Sequence, residues 1–173
     1  MAGSLELIHT ETITSSTSSQ SIDNVFSSDY DVYKIVISGI STVGNLAAFI
    51  VIRLIDNSGN VIADSEYDWA DLELRSNTGF SDDRDTSASY MRLNGIIDQA
   101  PESIGININV YNPYDSSSYT FISGQSSGTS NNLRAGRNIG VHKVAETIRG
   151  FAVVESNGSR PFDSGTISVY GVK

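Results

Sequence analysis

The chain of 173 residues contains no cysteine, which excludes disulfide bonds and thiolate metal sites. A chain of this length buries roughly 70% of its unfolded surface on folding, so it needs neither a disulfide nor a metal to hold a core. The two histidines, His9 and His142, are far apart in sequence. No zinc site and no other cofactor is therefore expected.

Lysine is scarce, since only Lys34, Lys143 and Lys173 occur, and the formal net charge is -9. Binding to nucleic acid requires clustered Lys and Arg side chains, so a general role on DNA or RNA is not expected. The acidic balance favours solubility and mutual repulsion between free copies.

Long apolar runs are also missing. No stretch of about 20 apolar residues is present, so no transmembrane helix is expected. The segment from Met1 to Glu6 lacks a basic region followed by an apolar run, which is unlike a secretory signal. Helical periodicity is nearly absent, and this predicts at most one short helix.

What the sequence does contain is a period of two. Ile104–Tyr111 alternates apolar and polar residues cleanly, and the C-terminal segment Gly165–Lys173 alternates in the same way. Side chains on a strand point to opposite faces in turn, so each segment predicts a half-buried strand. Leu46–Ile55 is apolar in both phases, which predicts a central strand covered on both sides.

About nine to eleven short strands with turn signals between them indicate an all-β protein. The predicted fold is one antiparallel β-sandwich of jelly-roll type, a single domain over residues 1–173 with long polar loops. Ser76–Ser87 and Gly124–Gly136 are predicted to be two of these loops. Ser65–Leu74 is ambiguous, because its apolar residues fit one helical turn or a bent strand.

Catalytic motifs are absent from the pattern. His9 and His142 are the only neutral-pH bases, and each fits a strand face better than a catalytic group. No Gly-x-Ser-x-Gly motif occurs, and no pair of carboxylates stands out for glycoside hydrolysis. The sequence therefore predicts no catalytic residue and no enzymatic activity.

Asp82, Asp83 and Asp85 form an acidic cluster around Arg84. Clustered oxygen ligands suit a hard cation such as Ca²⁺, but the late Glu of a calcium loop is missing and Arg84 supplies an internal counter-charge. A solvated acidic loop is the preferred interpretation, with a bound cation as the alternative.

Aromatic residues offer a second candidate site, because their rings stack on the apolar faces of sugars. Exposed tyrosine is also common at protein interfaces, and core or interface roles are preferred over sugar binding. The candidate binding or interface aromatics are Tyr67, Trp69, Tyr111, Tyr114 and Tyr119.

Both ends of the chain carry patterns typical of one class of protein. The C-terminal Ser164–Lys173, which follows Ile148–Phe151 after a loop, contains Gly-Thr-Ile-Ser-Val-Tyr-Gly. Near the start, Asn24–Ile37 contains Tyr-Asp-Val-Tyr-Lys-Ile, and Leu5–Ile8 opens the chain in the same style. In these segments the chain resembles small structural proteins of tailed bacteriophages, of marine or cyanobacterial type.

The resemblance implies a virion protein, most simply a capsid decoration or cement protein, made in the host cytoplasm. It also implies a homo-oligomer, expected to be a trimer, whose partners are the major capsid protein or other virion proteins. The alternative is a tail or fibre component that binds a glycan or receptor. The resemblance implies no catalytic residue.

Overall fold

The computed structural model describes residues 4–43, 48–97, 103–130 and 132–173. Within these ranges the secondary structure is β-strand without helix, so none of the described residues lies in a helix that could cross a membrane. The strands are β1 (Leu5–Ile13), β2 (Ser19–Ile22), β3 (Val32–Thr42), β4 (Ala48–Asp56), β5 (Tyr67–Arg75), β6 (Gly79–Ala88), β7 (Met91–Ile97), β8 (Ile104–Tyr111), β9 (Thr120–Ser130), β10 (Asn132–His142), β11 (Ile148–Glu155) and β12 (Phe162–Val172).

The strands form two antiparallel sheets. The larger sheet has the order β1-β12-β3-β8-β9-β10-β5-β6, and the smaller has the order β2-β11-β4-β7. The strands of the smaller sheet are next in the chain to the first four strands of the larger one: β2 follows β1, β11 precedes β12, β4 follows β3 and β7 precedes β8. Apart from two inserted hairpins, the chain alternates between the sheets, which is the double Greek key of a jelly roll. The predicted all-β jelly-roll sandwich is therefore confirmed.

Two hairpins are inserted into this framework. β5 and β6 come between β4 and β7, and β9 and β10 come between β8 and β11. Together they continue the larger sheet beyond β8 in the order β9-β10-β5-β6. We call these four strands the insertion platform. β7, the last strand of the smaller sheet, lies against β9, β10 and β5, so it covers one face of the insertion platform, and no strand among the described residues covers the other face.

The core lies between the two sheets and is dominated by β-branched and aromatic side chains. Ile35 and Ile37 of β3, Ile106 of β8 and Ile167 of β12 are fully buried on the inner face of the larger sheet. Phe151 of β11 meets them from the smaller sheet. The large number of apolar side chains at alternate positions explains why strands, and not helices, bury this core.

The strongest sequence patterns correspond to framework strands. β8 and β12 show the alternating burial that was predicted for them. β4 is apolar on both faces as expected, although residues 46 and 47 of the predicted strand lie outside the described residues. β1 departs from simple alternation because Ile8 is an extra residue in a bulge opposite β12.

Three predictions on the insertion platform need correction or completion. The predicted loop Ser76–Ser87 is largely β6, and the predicted loop Gly124–Gly136 is the hairpin of β9 and β10, except for residue 131, which lies outside the described residues. The ambiguous Ser65–Leu74 is strand β5. β6 is an edge strand, so backbone hydrogen bonds to β5 hold it without any alternation of apolar residues.

Candidate functional site

The outward face of the insertion platform carries large apolar side chains together with charged ones. Residues paired directly across an antiparallel sheet point to the same side, and three such rows cross β10, β5 and β6. The rows are Ala135–Leu74–Phe80, Arg137–Leu72–Asp82 and Ile139–Ala70–Arg84.

The apolar side chains of this face are accessible to solvent. Phe80 is 75% exposed, Leu133 61% and Ile139 60%, while Leu72 and Leu74 are each nearly half exposed. Contiguous apolar patches of more than a few hundred Å² are uncommon on monomeric proteins and mark interaction sites. The face therefore has the character of a protein interface.

A groove of about 640 Å³ runs along the same face near β9 and β10. Its walls include Tyr111, Phe121, Ile139 and Val141. The outward positions of the neighbouring framework strands are polar, for example Asn107 of β8. The outward positions of β9 beyond Phe121 are polar as well, as Ser123 and Gln125 show, so the exposed apolar side chains are concentrated on β10 and β5 with Phe80 of β6.

The inner face of the insertion platform carries buried charges. Arg92 of β7 lies between two carboxylates, with its Nε 3.2 Å from Oδ2 of Asp71 and its Nη1 2.5 Å from Oδ2 of Asp83. Its guanidinium also stacks over the Phe49 ring at 3.6 Å from the centroid. Arg92 and Asp71 are both more than nine-tenths buried, so this ion cluster anchors β5 and β6 to β7.

A second ion cluster continues along the same face. The carboxylate of Glu73 is buried and accepts hydrogen bonds from Nε of Arg75 at 2.8 Å and from Nη1 of Arg134 at 2.9 Å. Glu73 lies on β5 and Arg134 on β10, so the pair ties the two inserted hairpins to each other. The insertion platform thus carries two ion clusters on its buried side, while large apolar side chains such as Leu72 and Phe80 are exposed on its other side.

Burial raises the pKa of Asp71 to about 6, because desolvation and the neighbouring carboxylates outweigh the attraction of the Arg92 guanidinium. The ordinary value is 3.8, so the folded protein binds this proton more tightly than the unfolded chain does. The Asp71 contribution to stability is fully present below the ordinary pKa and is lost as the pH rises through about 6.

Asp71→Asn is therefore expected to flatten part of the pH dependence of stability. Between pH 4 and pH 7 the wild type should lose about 2 kcal/mol of unfolding free energy relative to the variant, because most of the titration set by the two pKa values falls in this range. Urea unfolding of both proteins across this range measures the difference. Parallel stability curves for the two proteins would contradict the assignment.

The five candidate aromatic residues do not lie together in one binding site. Tyr67 is fully buried, and its hydroxyl accepts a hydrogen bond from the Leu54 amide and donates one to the Ile62 carbonyl, each at 3.1 Å. Trp69 is 7% exposed. Both belong to the core, which leaves no ring face of Tyr67 for a ligand and corrects its candidacy for sugar binding.

The other three aromatics are at the surface but apart from each other. Tyr111 is half buried, exchanges a 3.1 Å hydrogen bond with the Ser123 hydroxyl and lines the apolar groove. Tyr119 is 45% exposed. Tyr114 is 39% exposed and lines a different cleft, with Tyr30. Of the predicted set, Tyr111 and Trp69 line the apolar groove of the insertion platform.

The acidic cluster of Asp82, Asp83 and Asp85 is part of strand β6 and not a loop. Asp82 shares the outward face with Leu72, whereas Asp83 points inward to Arg92. Asp85 lies opposite Trp69, on the same inner face as Asp83, and Asp82 lies on the other face. None of the three belongs to a group of described residues whose ligand atoms lie close enough to hold a metal ion, so the calcium alternative finds no support in this geometry.

The two histidines have different surroundings. His9 lies on exposed β1, 3.4 Å from a carboxylate oxygen of Glu11. His142 is fully buried, and its Nε2 lies 3.1 Å from Oε2 of Glu66 and 3.7 Å from Oε1 of Glu146. These three residues are the group among the described residues whose ligand atoms lie close enough to hold a metal ion. The sequence could not indicate this group, because Glu66 and His142 are brought together only by the pairing of β5 with β10.

Comparison with known proteins does not assign the chain. No protein-family model matches it. A search of curated proteins also finds no match.

Proposed function

We propose that the chain is a non-enzymatic structural protein of a bacteriophage particle, a capsid decoration module that binds other virion proteins. The observation that carries the proposal is the exposed apolar face of the insertion platform. The resemblance of Asn24–Ile37 and Ser164–Lys173 to phage structural proteins supplies the biological setting.

The polarity of the insertion platform supports an assembly role. An isolated sandwich stabilises itself by turning apolar side chains inward and charges outward. On β5 the opposite holds beyond Trp69, because Asp71 and Glu73 point inward while Leu72 and Leu74 point to solvent. Exposing these apolar side chains to water is unfavourable. A protein partner that covers the face would remove this unfavourable hydration.

The jelly-roll framework of the chain also suits a structural role in a particle. The jelly roll gives a rigid sandwich whose sheet edges and faces can meet neighbours in a symmetric shell. The buried charged groups of the insertion platform are engaged in internal ion pairs, as Asp71 is with Arg92. The proposed partners are copies of the same chain and the major capsid protein, and the trimeric state follows from the resemblance.

The proposal is tested by adding the purified chain to phage particles that lack it. The wild type should bind, and a Phe80→Asp/Ile139→Asp variant should bind about a hundredfold more weakly, since each change removes an apolar contact and introduces a charge. Co-sedimentation of chain and particles measures the binding.

The matched control is Thr10→Asp/Thr12→Asp, which adds the same two charges at exposed positions on β1, at the opposite edge of the larger sheet. It should bind like the wild type. A wild-type chain that fails to bind, or a platform variant that binds normally, would contradict the proposal.

A second candidate function, glycan or receptor binding by a tail or fibre module, is favoured by one cleft of about 390 Å³. It lies beside the stacked rings of Trp69 and Tyr90, whose centroids are 6.4 Å apart, and Asp85 and Asn157 supply polar groups at its rim. Tyr90→Ala tests this function, since Tyr90 is only partly buried and lines the cleft. Glycan-array binding that is lost in the variant would support it, and an array without any hit would reject it.

A further inference from the structure

We propose that the outward face of the insertion platform binds a second copy of this chain, related by a two-fold axis that runs along β5. This inference rests on the proposed assembly function, because it names the partner of the same face. Its basis is the arrangement of side chains in the three rows that cross β10, β5 and β6.

A two-fold contact between two sheet faces requires the axis to lie in the plane of the interface. Rotation about an axis along β5 places the partner's β5 above β5 and the partner's β10 above β6. Each row then faces the same row of the partner, read in reverse order. The face is self-complementary if the β10 and β6 members of every row suit each other.

The rows meet this condition. In the first row small Ala135 faces large Phe80 of the second copy, and in the middle row Arg137 faces Asp82. Because the contact is symmetric, each of these pairs occurs twice. The β5 residues Leu72 and Leu74 lie on the axis and face their own copies, which gives an apolar centre flanked by opposite charges.

In the third row Ile139 faces Arg84, whose methylene chain can cover the apolar side chain while the guanidinium reaches solvent. An axis along β10 gives a poorer match, since Arg137 would face Arg137 of the second copy. The order of the residues therefore favours β5 as the axis.

The distribution of charge also favours a second copy of the chain as the partner of this face. The whole chain carries a net charge of -9, so two copies repel each other in most orientations. The three rows contain Arg84 and Arg137 against a single carboxylate, Asp82. With the axis along β5 each Arg137 meets Asp82 of the second copy, so this face brings two acidic copies together with less repulsion than an acidic face would.

The expected contact is small. It covers three strands spaced about 4.8 Å apart, which is less than the roughly 800 Å² per partner of a standard stable interface. The dimer should therefore be weak and dissociate on dilution. In a particle, other contacts between subunits would add to the affinity of this one. A trimer, as the resemblance implies, could use this contact to join a second trimer, so the assemblies should contain two or six chains.

Cross-linking tests the axis directly, because the chain has no cysteine and one introduced residue is its only thiol. Stacked sheets lie about 10 Å apart, beyond the reach of a disulfide, so a short bismaleimide is the suitable reagent. Leu72→Cys lies on the proposed axis and should give a covalent dimer. Thr10→Cys, exposed on the outward face of β1, should remain monomeric under the same treatment.

Charge reversal gives a second test that does not depend on cross-linking. Arg137→Asp and Asp82→Arg should each weaken association about tenfold in analytical ultracentrifugation, because each creates two like-charge contacts. The double variant should recover wild-type association. Both side chains are exposed, so the variants should fold like the wild type.

These results separate the inference from the proposed function. A wild-type chain that binds particles but shows no Leu72→Cys cross-link, or whose single charge reversals associate normally, would overturn the two-fold contact and leave the virion role standing. A chain that forms only trimers in solution would also overturn it. A chain that forms the two-fold contact but fails to bind particles would contradict the virion role alone.

Discussion

Replacing Arg92 by methionine is expected to lower the free energy of unfolding by about 3–5 kcal/mol. The change removes the guanidinium that neutralises Asp71 and Asp83 and that stacks on Phe49. Asp71 is 6% exposed, so its carboxylate cannot be solvated by water in place of Arg92. Urea unfolding at pH 7.5 measures the loss.

The matched control is Arg137→Met, which removes an exposed arginine from β10 and should change stability by no more than about 0.5 kcal/mol. A double variant, Arg92→Met/Asp71→Leu, also removes the buried carboxylate and should recover part of the lost stability. If Arg92→Met proved as stable as the control, the buried ion cluster would not be what anchors the insertion platform to β7.

Gly150→Ala should be the second severe change, with a loss of about 3 kcal/mol, at the upper end of overpacking costs. A Cβ at Gly150 would overlap the carbonyl oxygen of Ile22 and would lie 2.9 Å from Cα of Asp23. Both obstacles are backbone atoms. The segment cannot shift freely either, since Arg149 donates hydrogen bonds to both carboxylate oxygens of Asp23.

Gly105→Ala is the control for this prediction, because a Cβ at Gly105 of β8 meets no atom within 4 Å. It should be neutral or slightly stabilising, as replacing a strand glycine reduces the entropy of the unfolded chain. Equal stabilities for the two variants, measured by thermal unfolding, would show that the close approach of β2 to β11 is not a constraint on this fold.

The jelly-roll framework could be predicted because its strands bury one face in a common core. Burial imposes a period of two on the sequence, which β8 shows throughout and β12 shows from Gly165 onward. The Gly/Ser-rich hairpin of β9 and β10 could not be recognised. Its inward positions approach neighbouring atoms closely, and a Cβ at Gly124 would lie 2.8 Å from the carbonyl oxygen of Asn107, so small residues replace the apolar ones that mark a strand.

The apolar interface could not be predicted either, because β5 carries large apolar residues in both phases. Tyr67 and Trp69 occupy inward positions, while Leu72 and Leu74 occupy outward ones. The change of polarity between them depends on Asp71 and Glu73, which are inward only because arginines on β7 and β10 neutralise them. Those partners are distant in sequence, so a local pattern holds no signal for them.

The central claim is that the outward face of the insertion platform is covered by protein in the assembled state. Thiol labelling of Ile139→Cys tests it most directly, with Thr10→Cys as the reference at the far edge of the same sheet. The account predicts that the thiol at position 139 reacts fully in the dilute chain and is protected in the assembled particle, while the reference reacts in both. Equal labelling of Ile139→Cys in the free and assembled states would contradict the account.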